Sequence, residues 1–291
     1  MKNILIPTDF SVSAENAAQY GVMLAKALNA NITLCNVYKV PSEAPMAAQV
    51  AWPLMDEAEL ENESESGLTQ LVAKISKDNC SSEDCFCPEI SFESEKGNVC
   101  KVVKELVKRK KIELVIMGTA GAGKIVQWAL GSNSKTMIDE ANFPVMYIPY
   151  VAKYKTIKKI AFTTNLSVDD LEPLQYLSRF AAQLDAEIIV YHITNFEAER
   201  NEKLEGLNKL FFEEVVSKIE NKKIVFENIW HSDVSEGLKF IRNNKEIDVV
   251  AMVHRQHNLL DKLINGSYVH KFSRFTNVPL LVFQPSRKIS E

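Results

Sequence analysis

The chain repeats itself. Lys2–Val37 aligns with Lys158–Ile193 without a gap. Lys2, Ile4, Thr8, Ser11, Val12, Gln19, Tyr20, Ala25, Leu28, Ala30 and Ile32 recur as Lys158, Ile160, Thr164, Ser167, Val168, Gln175, Tyr176, Ala181, Leu184, Ala186 and Ile188. The ends of the halves match too. Glu113–Met117 (ELVIM) parallels Asp248–Met252 (DVVAM), Gly131-Ser132 parallels Gly266-Ser267, and Asn142–Pro149 (NFPVMYIP) parallels Asn277–Gln284 (NVPLLVFQ). Chance similarity does not account for matches in both blocks. One fold is used twice, in units spanning 1–150 and 156–287 with a join near Tyr150–Lys155.

Each unit alternates strands and helices. Asn3–Thr8 is a short apolar run and reads as a buried strand. Ser11 or Ser13 then caps a helix with apolar positions at Ala17, Tyr20, Leu24 and Leu28. Asn31–Val37, Glu89–Ser94, Ile112–Met117 and Val145–Ile148 are the remaining strands of the first unit, and Val99, Val102, Val103, Leu106 and Val107 form a helical stripe. The second unit supplies strands at Ile160–Thr163, Glu187–Ile193, Lys223–Trp230, Asp248–Met252 and Leu280–Phe283. Such alternation predicts an α/β chain of two tandem, open-twisted, parallel five-stranded sheets with helices on both faces, Rossmann-like or flavodoxin-like. Ligands of such sheets bind at the carboxyl ends of the strands, where strand order reverses. Between the second strand and the next helix, Pro41–Gly67 reads as an excursion containing the acidic run Asp56–Glu65. It is expected as a solvated loop, with a cover over the site as the alternative.

Composition narrows the class. A net charge of −4 argues against non-specific nucleic-acid binding. No run of apolar residues is long enough to span a membrane, and MKNILIPTDF breaks too early for a signal peptide, so a cytoplasmic location is expected. Five cysteines, Cys35, Cys80, Cys85, Cys87 and Cys100, are expected as free thiols, because the Cys80, Cys85 and Cys87 spacing does not suit common zinc patterns.

The chemistry concentrates in Met117–Ser134, MGTAGAGKIVQWALGSNS. Glycine lets backbone N–H groups approach a ligand closely, and N–H groups near a helix start suit phosphate. Gly118, Gly123 and Lys124 fit the P-loop spacing, but Ile125 stands where a Mg²⁺-binding Ser or Thr is required, and the loop follows the fourth strand rather than the first. A Gly-rich turn without a ligand is the plain alternative.

The spacing G-x₂-G-x₉-G-S, carried by Gly118, Gly121, Gly131 and Ser132, resembles the nucleotide-binding motif of the universal stress protein family. The opening ILIPTDFS and closing NFPVMYIP resemble that family as well, and the likeness extends over both halves. The resemblance implies an adenine-nucleotide site for ATP, with or without Mg²⁺. It implies that Asp9, with Pro7 and Thr8, meets the adenosine and that Val37 contacts the adenine ring. Gly118 and Gly121, following Met117, would line the ribose and phosphates, while Gly131, Ser132 and Asn133 supply N–H and hydroxyl donors. Lys124 is an additional phosphate partner or a solvated lysine. The family's edge-strand pairing implies an internal pseudo-dimer of the two halves and leaves a further homodimer open. The implied role is a stress-response sensor or adaptor. A slow ATPase, a nucleotide-transferring enzyme and a ligand-free interaction module stand as alternatives, since no catalytic set is legible.

The second half departs from the motif. Pro7, Asp9, Gly118 and Gly121 become Thr163, Asn165, Val253 and Gln256. Copying Val253 into position 118 is therefore expected to remove ATP binding without disturbing the fold. All five histidines lie in the second half: His192, His231, His254, His257 and His270. His192, His231 and His254 fall near strand carboxyl ends and are expected either to converge on the degenerate site or to be unrelated surface groups. Arg255 beside His254 argues against a dedicated metal site there.

Overall fold

The computed structural model describes residues 1–39, 56–77, 86–119, 130–194, 202–220, 223–231, 233–244, 246–255 and 268–285. The first half runs β1 (Asn3–Thr8), α1 (Val12–Leu28), β2 (Asn31–Tyr38), α2 (Glu57–Lys77), β3 (Ile90–Lys96), α3 (Val99–Arg109), β4 (Leu114–Gly118), α4 (Ser132–Glu140) and β5 (Val145–Ile148). The second half runs β6 (Lys159–Thr164), a 3-10 turn (Val168–Asp170), α5 (Leu171–Leu184), β7 (Glu187–Thr194), α6 (Glu202–Glu214), a second 3-10 turn (Val216–Lys218), β8 (Ile224–Trp230), α7 (Val234–Asn243), β9 (Val249–Val253), α8 (Tyr268–Phe275) and β10 (Leu280–Phe283).

The inner strands are apolar because both of their faces are covered, whereas the outermost, β3 (ISFESEK) and β8 (IVFENIW), are more polar and more exposed. Ile4 and Ile6 belong to a core cluster that also holds α1, α2, α5 and α6 residues such as Leu24, Leu71, Phe180 and Phe211. Leu5, between them, points the other way and joins Leu106, Met137, Leu238 and Phe272 of α3, α4, α7 and α8. Period-two alternation thus feeds two helical layers, and residues of both halves fill each layer.

Within each half the pairing is parallel, and the halves join into one ten-stranded sheet of order β3-β2-β1-β4-β5-β10-β9-β6-β7-β8. The join is an antiparallel pairing of β5 with β10, with Leu281 facing Met146. Those two residues occupy equivalent positions in the repeat, so a local two-fold relates the halves. One edge strand of each half, β5 or β10, is thereby covered by its counterpart, while β3 and β8 form the edges of the joined sheet.

The repeat extends to single hydrogen bonds. Phe10 N donates to Thr8 Oγ1 at 3.0 Å, and Leu166 N donates to Thr164 Oγ1 at 2.8 Å. Phe10 and Leu166 both adopt positive φ, 60° and 64°, as do the helix-ending Asn29 and Asp185, at 50° and 54°. Ser11, not Ser13, caps α1, accepting from Ala14 N, and Ser167 accepts from Asp169 N in the matching place.

Two expectations require correction. The acidic run Asp56–Glu65 is helical: α2 begins at Glu57, and the Glu59 carboxylate accepts from Asp56 N at 3.2 Å. Acidic residues are well placed at a helix start. The remainder of the excursion, 40–55, lies outside the described residues, so no cover over the site is assigned. Among the cysteines, Cys35 and Cys100 are free and buried, but Cys87 is disulfide-bonded, contrary to the free-thiol expectation. Burial pushes the Cys35 thiol up to about 12, which leaves it an unreactive core side chain. Cys80 and Cys85 lie outside the described residues.

Candidate functional site

Strand order reverses between β1 and β4 in the first half and between β6 and β9 in the second. Two crevices therefore open at the strand carboxyl ends. In the first, β1 ends in buried Pro7 and Thr8 and exposed Asp9, whose carboxylate accepts from Ser11 N at 3.1 Å. Val37 lies on β2 one step past Asn36, which pairs in register with Thr8, and it packs against the core beneath. Asn36 Nδ2 donates to Thr8 O at 2.8 Å and fixes the end of β1.

Met117 is buried, and Gly118 ends β4. Two bonds fasten α4 to that strand end: Ser134 Oγ donates to Gly118 O at 2.9 Å, and Gly131 N donates to Thr119 O at 2.7 Å. Gly131 is the N-cap of α4 and makes no side-chain capping bond. Ser132 and Asn133, in the first turn, are exposed. This is a helix start with backbone donors and no capping side chain, the arrangement that suits an anion. Pro7, Thr8, Asp9, Val37, Met117, Gly118, Gly131, Ser132 and Asn133 thus share one end of the sheet. Gly121 and Lys124 lie outside the described residues.

The structure assigns Gly118 a duty that its place in the motif does not reveal. A Cβ there would stand 2.7 Å from Ser13 Oγ and 2.8 Å from Ser13 O. The glycine is needed for α1 to approach β4. A valine at 118 therefore disturbs the fold, contrary to expectation. The second half carries Val253 at that place, and its segment matching the start of α1 is a 3-10 turn, with α5 starting only at Leu171.

The second crevice persists as a cavity of about 180 Å³ lined by residues including Thr163, Asn165, His192, Val253, Arg255 and Tyr268. Its floor holds an ion pair between Arg255 and fully buried Asp170, which also accepts from Thr164 Oγ1 at 2.6 Å. Burial pushes the Asp170 carboxyl up, against the opposing pull of Arg255 and Thr164. The first half carries Ala14 where Asp170 stands.

The histidines do not converge there. His192 Nδ1 lies 3.1 Å from Thr164 O, repeating the Asn36 bond of the first half, and burial pushes its pKa down. His231 N donates to Thr194 O at 2.8 Å. His254 turns instead to the seam between halves, where its Nε2 lies 3.2 Å from Asp139 Oδ1. Arg255, committed to Asp170, does not obstruct that side. His257 lies outside the described residues. Asp139 and His270 were not singled out from the sequence, because their meeting depends on how β5 and β10 pair.

No helix among the described residues is long and apolar enough to cross a membrane. The sequence model of the universal stress protein family matches residues 1–149 and again 156–284. A universal stress protein of Methanocaldococcus jannaschii is 28% identical over 147 residues, 50% of this chain and 81% of the relative. One from Synechocystis is 22% identical over 300 residues, covering 98% of this chain and 100% of the relative. Among solved structures, a universal stress protein from Archaeoglobus fulgidus aligns with a TM-score of 0.69 at 16% identity, covering 97% of this chain and 98% of that one, a likeness of fold.

Proposed function

The chain belongs to the universal stress protein family, and we propose that its first half binds one adenine nucleotide, ATP, in the crevice between β1 and β4. The second half acts as scaffold or partner surface, and the protein works as a stress-response sensor or adaptor rather than a fast enzyme. The observation that carries this is the start of α4. Its N-cap glycine offers no side-chain acceptor, it is clamped to the end of β4, and it stands at the switch point beside Asp9. The residues fit the group. Gly131, Ser132 and Asn133 would hold phosphate, Asp9 would accept from the adenosine, and Val37 would give the ring an apolar contact. In the second crevice Asn165 carries no charge and Arg255 is already paired with Asp170.

Calorimetric titration of the full chain with ATP, with and without Mg²⁺, tests this. One ATP per chain is expected. Asp9→Asn, which copies Asn165, should weaken binding at least tenfold, about 1.4 kcal/mol. Phosphate release should stay below the roughly 1–10³ s⁻¹ of ordinary enzymes. No binding, or two equal sites, refutes the proposal.

A further inference from the structure

We propose that Asp139, His254 and His270 form a binding site for a divalent metal ion of the zinc class, bridging the two halves on one side of the seam. Asp139 lies on α4 of the first half, His254 follows β9, and His270 lies on α8 of the second half. His254 Nε2 is 3.2 Å and His270 Nε2 is 2.6 Å from Asp139 Oδ1. One potential ligand atom from each residue lies within 4.8 Å of the others. The two imidazole rings stand 5.4 Å apart at 78°. Their nitrogens therefore approach a common point without stacking.

The donor set selects the ion. Calcium and magnesium take oxygen ligands, and Cu(I) favours thiolate or thioether. Two imidazole nitrogens and a carboxylate oxygen suit Zn²⁺, whose bonds of about 2.0–2.1 Å set tetrahedral ligand atoms roughly 3.3 Å apart. The Asp139–His254 separation already has that size. The Asp139–His270 pair is at hydrogen-bond distance and has to open by roughly 0.7 Å, exchanging one hydrogen bond for two bonds to the ion.

Burial is graded: the side chains of His254, His270 and Asp139 are 4%, 17% and 42% exposed. An ion has an approach from the Asp139 side and a sheltered position once bound. Asp139 also occupies the last turn of α4, where the helix dipole disfavours a negative charge and a cation offsets it.

The repeat supplies an internal comparison. Thr119 N donates to Ile148 O just as His254 N donates to Phe283 O, so Thr119 is the counterpart of His254. Matching Gly131-Ser132 with Gly266-Ser267 makes Lys135 and Arg274 the counterparts of His270 and Asp139. The opposite side of the seam therefore carries Thr, Lys and Arg, a set with no metal affinity. The cluster is not something the shared fold requires.

The test uses the full chain, stripped with chelator and titrated with Zn²⁺ against a chromophoric competitor, then with Co²⁺ to read coordination from its visible spectrum. The expected result is one tight ion per chain and a tetrahedral Co²⁺ spectrum. Asp139→Asn and His270→Gln should each weaken Zn²⁺ at least tenfold, while His231→Ala leaves it unchanged. Absence of tight Zn²⁺ binding by the wild-type chain overturns the proposal. So does full affinity in a folded Asp139→Asn or His270→Gln variant, which would assign the ion to other side chains.

Discussion

Gly118→Ala separates the packing role of this glycine from its place in a nucleotide motif. The added Cβ would meet Ser13 Oγ at 2.7 Å, Ser13 O at 2.8 Å and Ser13 C at 3.0 Å. Two of these three partners are backbone atoms in the first turn of α1, so a rotamer change cannot relieve the clash. Either α1 withdraws from β4 or the end of β4 moves, and the Gly118 carbonyl that accepts from Ser134 moves with it. Overpacking of this kind costs about 1–3 kcal/mol. Removing glycine's freedom in the unfolded chain returns about 0.4–1 kcal/mol. The net loss is about 0.5–2.5 kcal/mol, a fall in Tm of roughly 1–4 °C for a chain of this size. Gly206, within α6, has nothing within 4 Å of its hypothetical Cβ. Gly206→Ala should therefore stabilise, by roughly 0.5–1 kcal/mol. Thermal melts of the two variants without nucleotide provide the assay. An unchanged or higher Tm for Gly118→Ala would refute the packing argument and return Gly118 to a ligand role alone.

Arg255→Ala leaves the fully buried Asp170 carboxylate without its cation and should cost about 3–5 kcal/mol in urea unfolding. Adding Asp170→Ala, which restores the Ala14 pattern of the first half, should recover much of that loss. A double variant as unstable as the single would count against the pairing. His192 carries a pH dependence whose sign is fixed by burial, which lowers its folded pKa below 6.5. The unfolded chain then binds more protons between the two values, so this contribution is full above pH 6.5 and is lost as pH falls below it. His192→Asn, copying Asn36, should flatten the stability profile between pH 7.5 and 5.5 by at most about 1.4 kcal/mol per pH unit. Parallel profiles for wild type and variant would exclude His192 as a source.

The fold was legible because both halves state it. Asn3–Thr8, Val145–Ile148 and Leu280–Phe283 appear in the structure at the bounds that the apolar runs suggest. A helix after the excursion was expected, but its start at Glu57 was not, because its buried residues, Leu68, Leu71 and Ile75, come late, after a run whose charges resemble a solvated loop. Strand ends also told where backbone arrives rather than where side chains turn. His192 lies near the end of β7 and His254 follows β9, yet one bonds to Thr164 O and the other reaches Asp139 of the first half. Nothing within either half reveals that second meeting, since it depends on which edges pair. Gly118 was misread for a related reason: the motif names a small residue, and only the approach of α1 shows what needs it small.

The halves share a frame down to single bonds and differ in the side chains which that frame carries. Thr8 with Thr164, Asn36 with His192 and Phe10 with Leu166 keep both crevices in shape. Matching backbone does not preserve matching chemistry, because a charge placed in the second crevice needs a partner there. Asp170 is fully buried, and Arg255 neutralises it from the position after His254. Arg255 is thereby held against α5's side of the sheet, while the adjacent His254 faces the seam. One adjacent pair of residues thus lines both the second crevice and the junction with the first half. On the other side of that junction, α4 begins at the candidate phosphate end and carries Asp139 in its last turn. At 1.5 Å per residue, this short helix connects crevice to seam over roughly 13 Å. The specialisation of the two halves and their attachment to each other therefore meet in the same few residues.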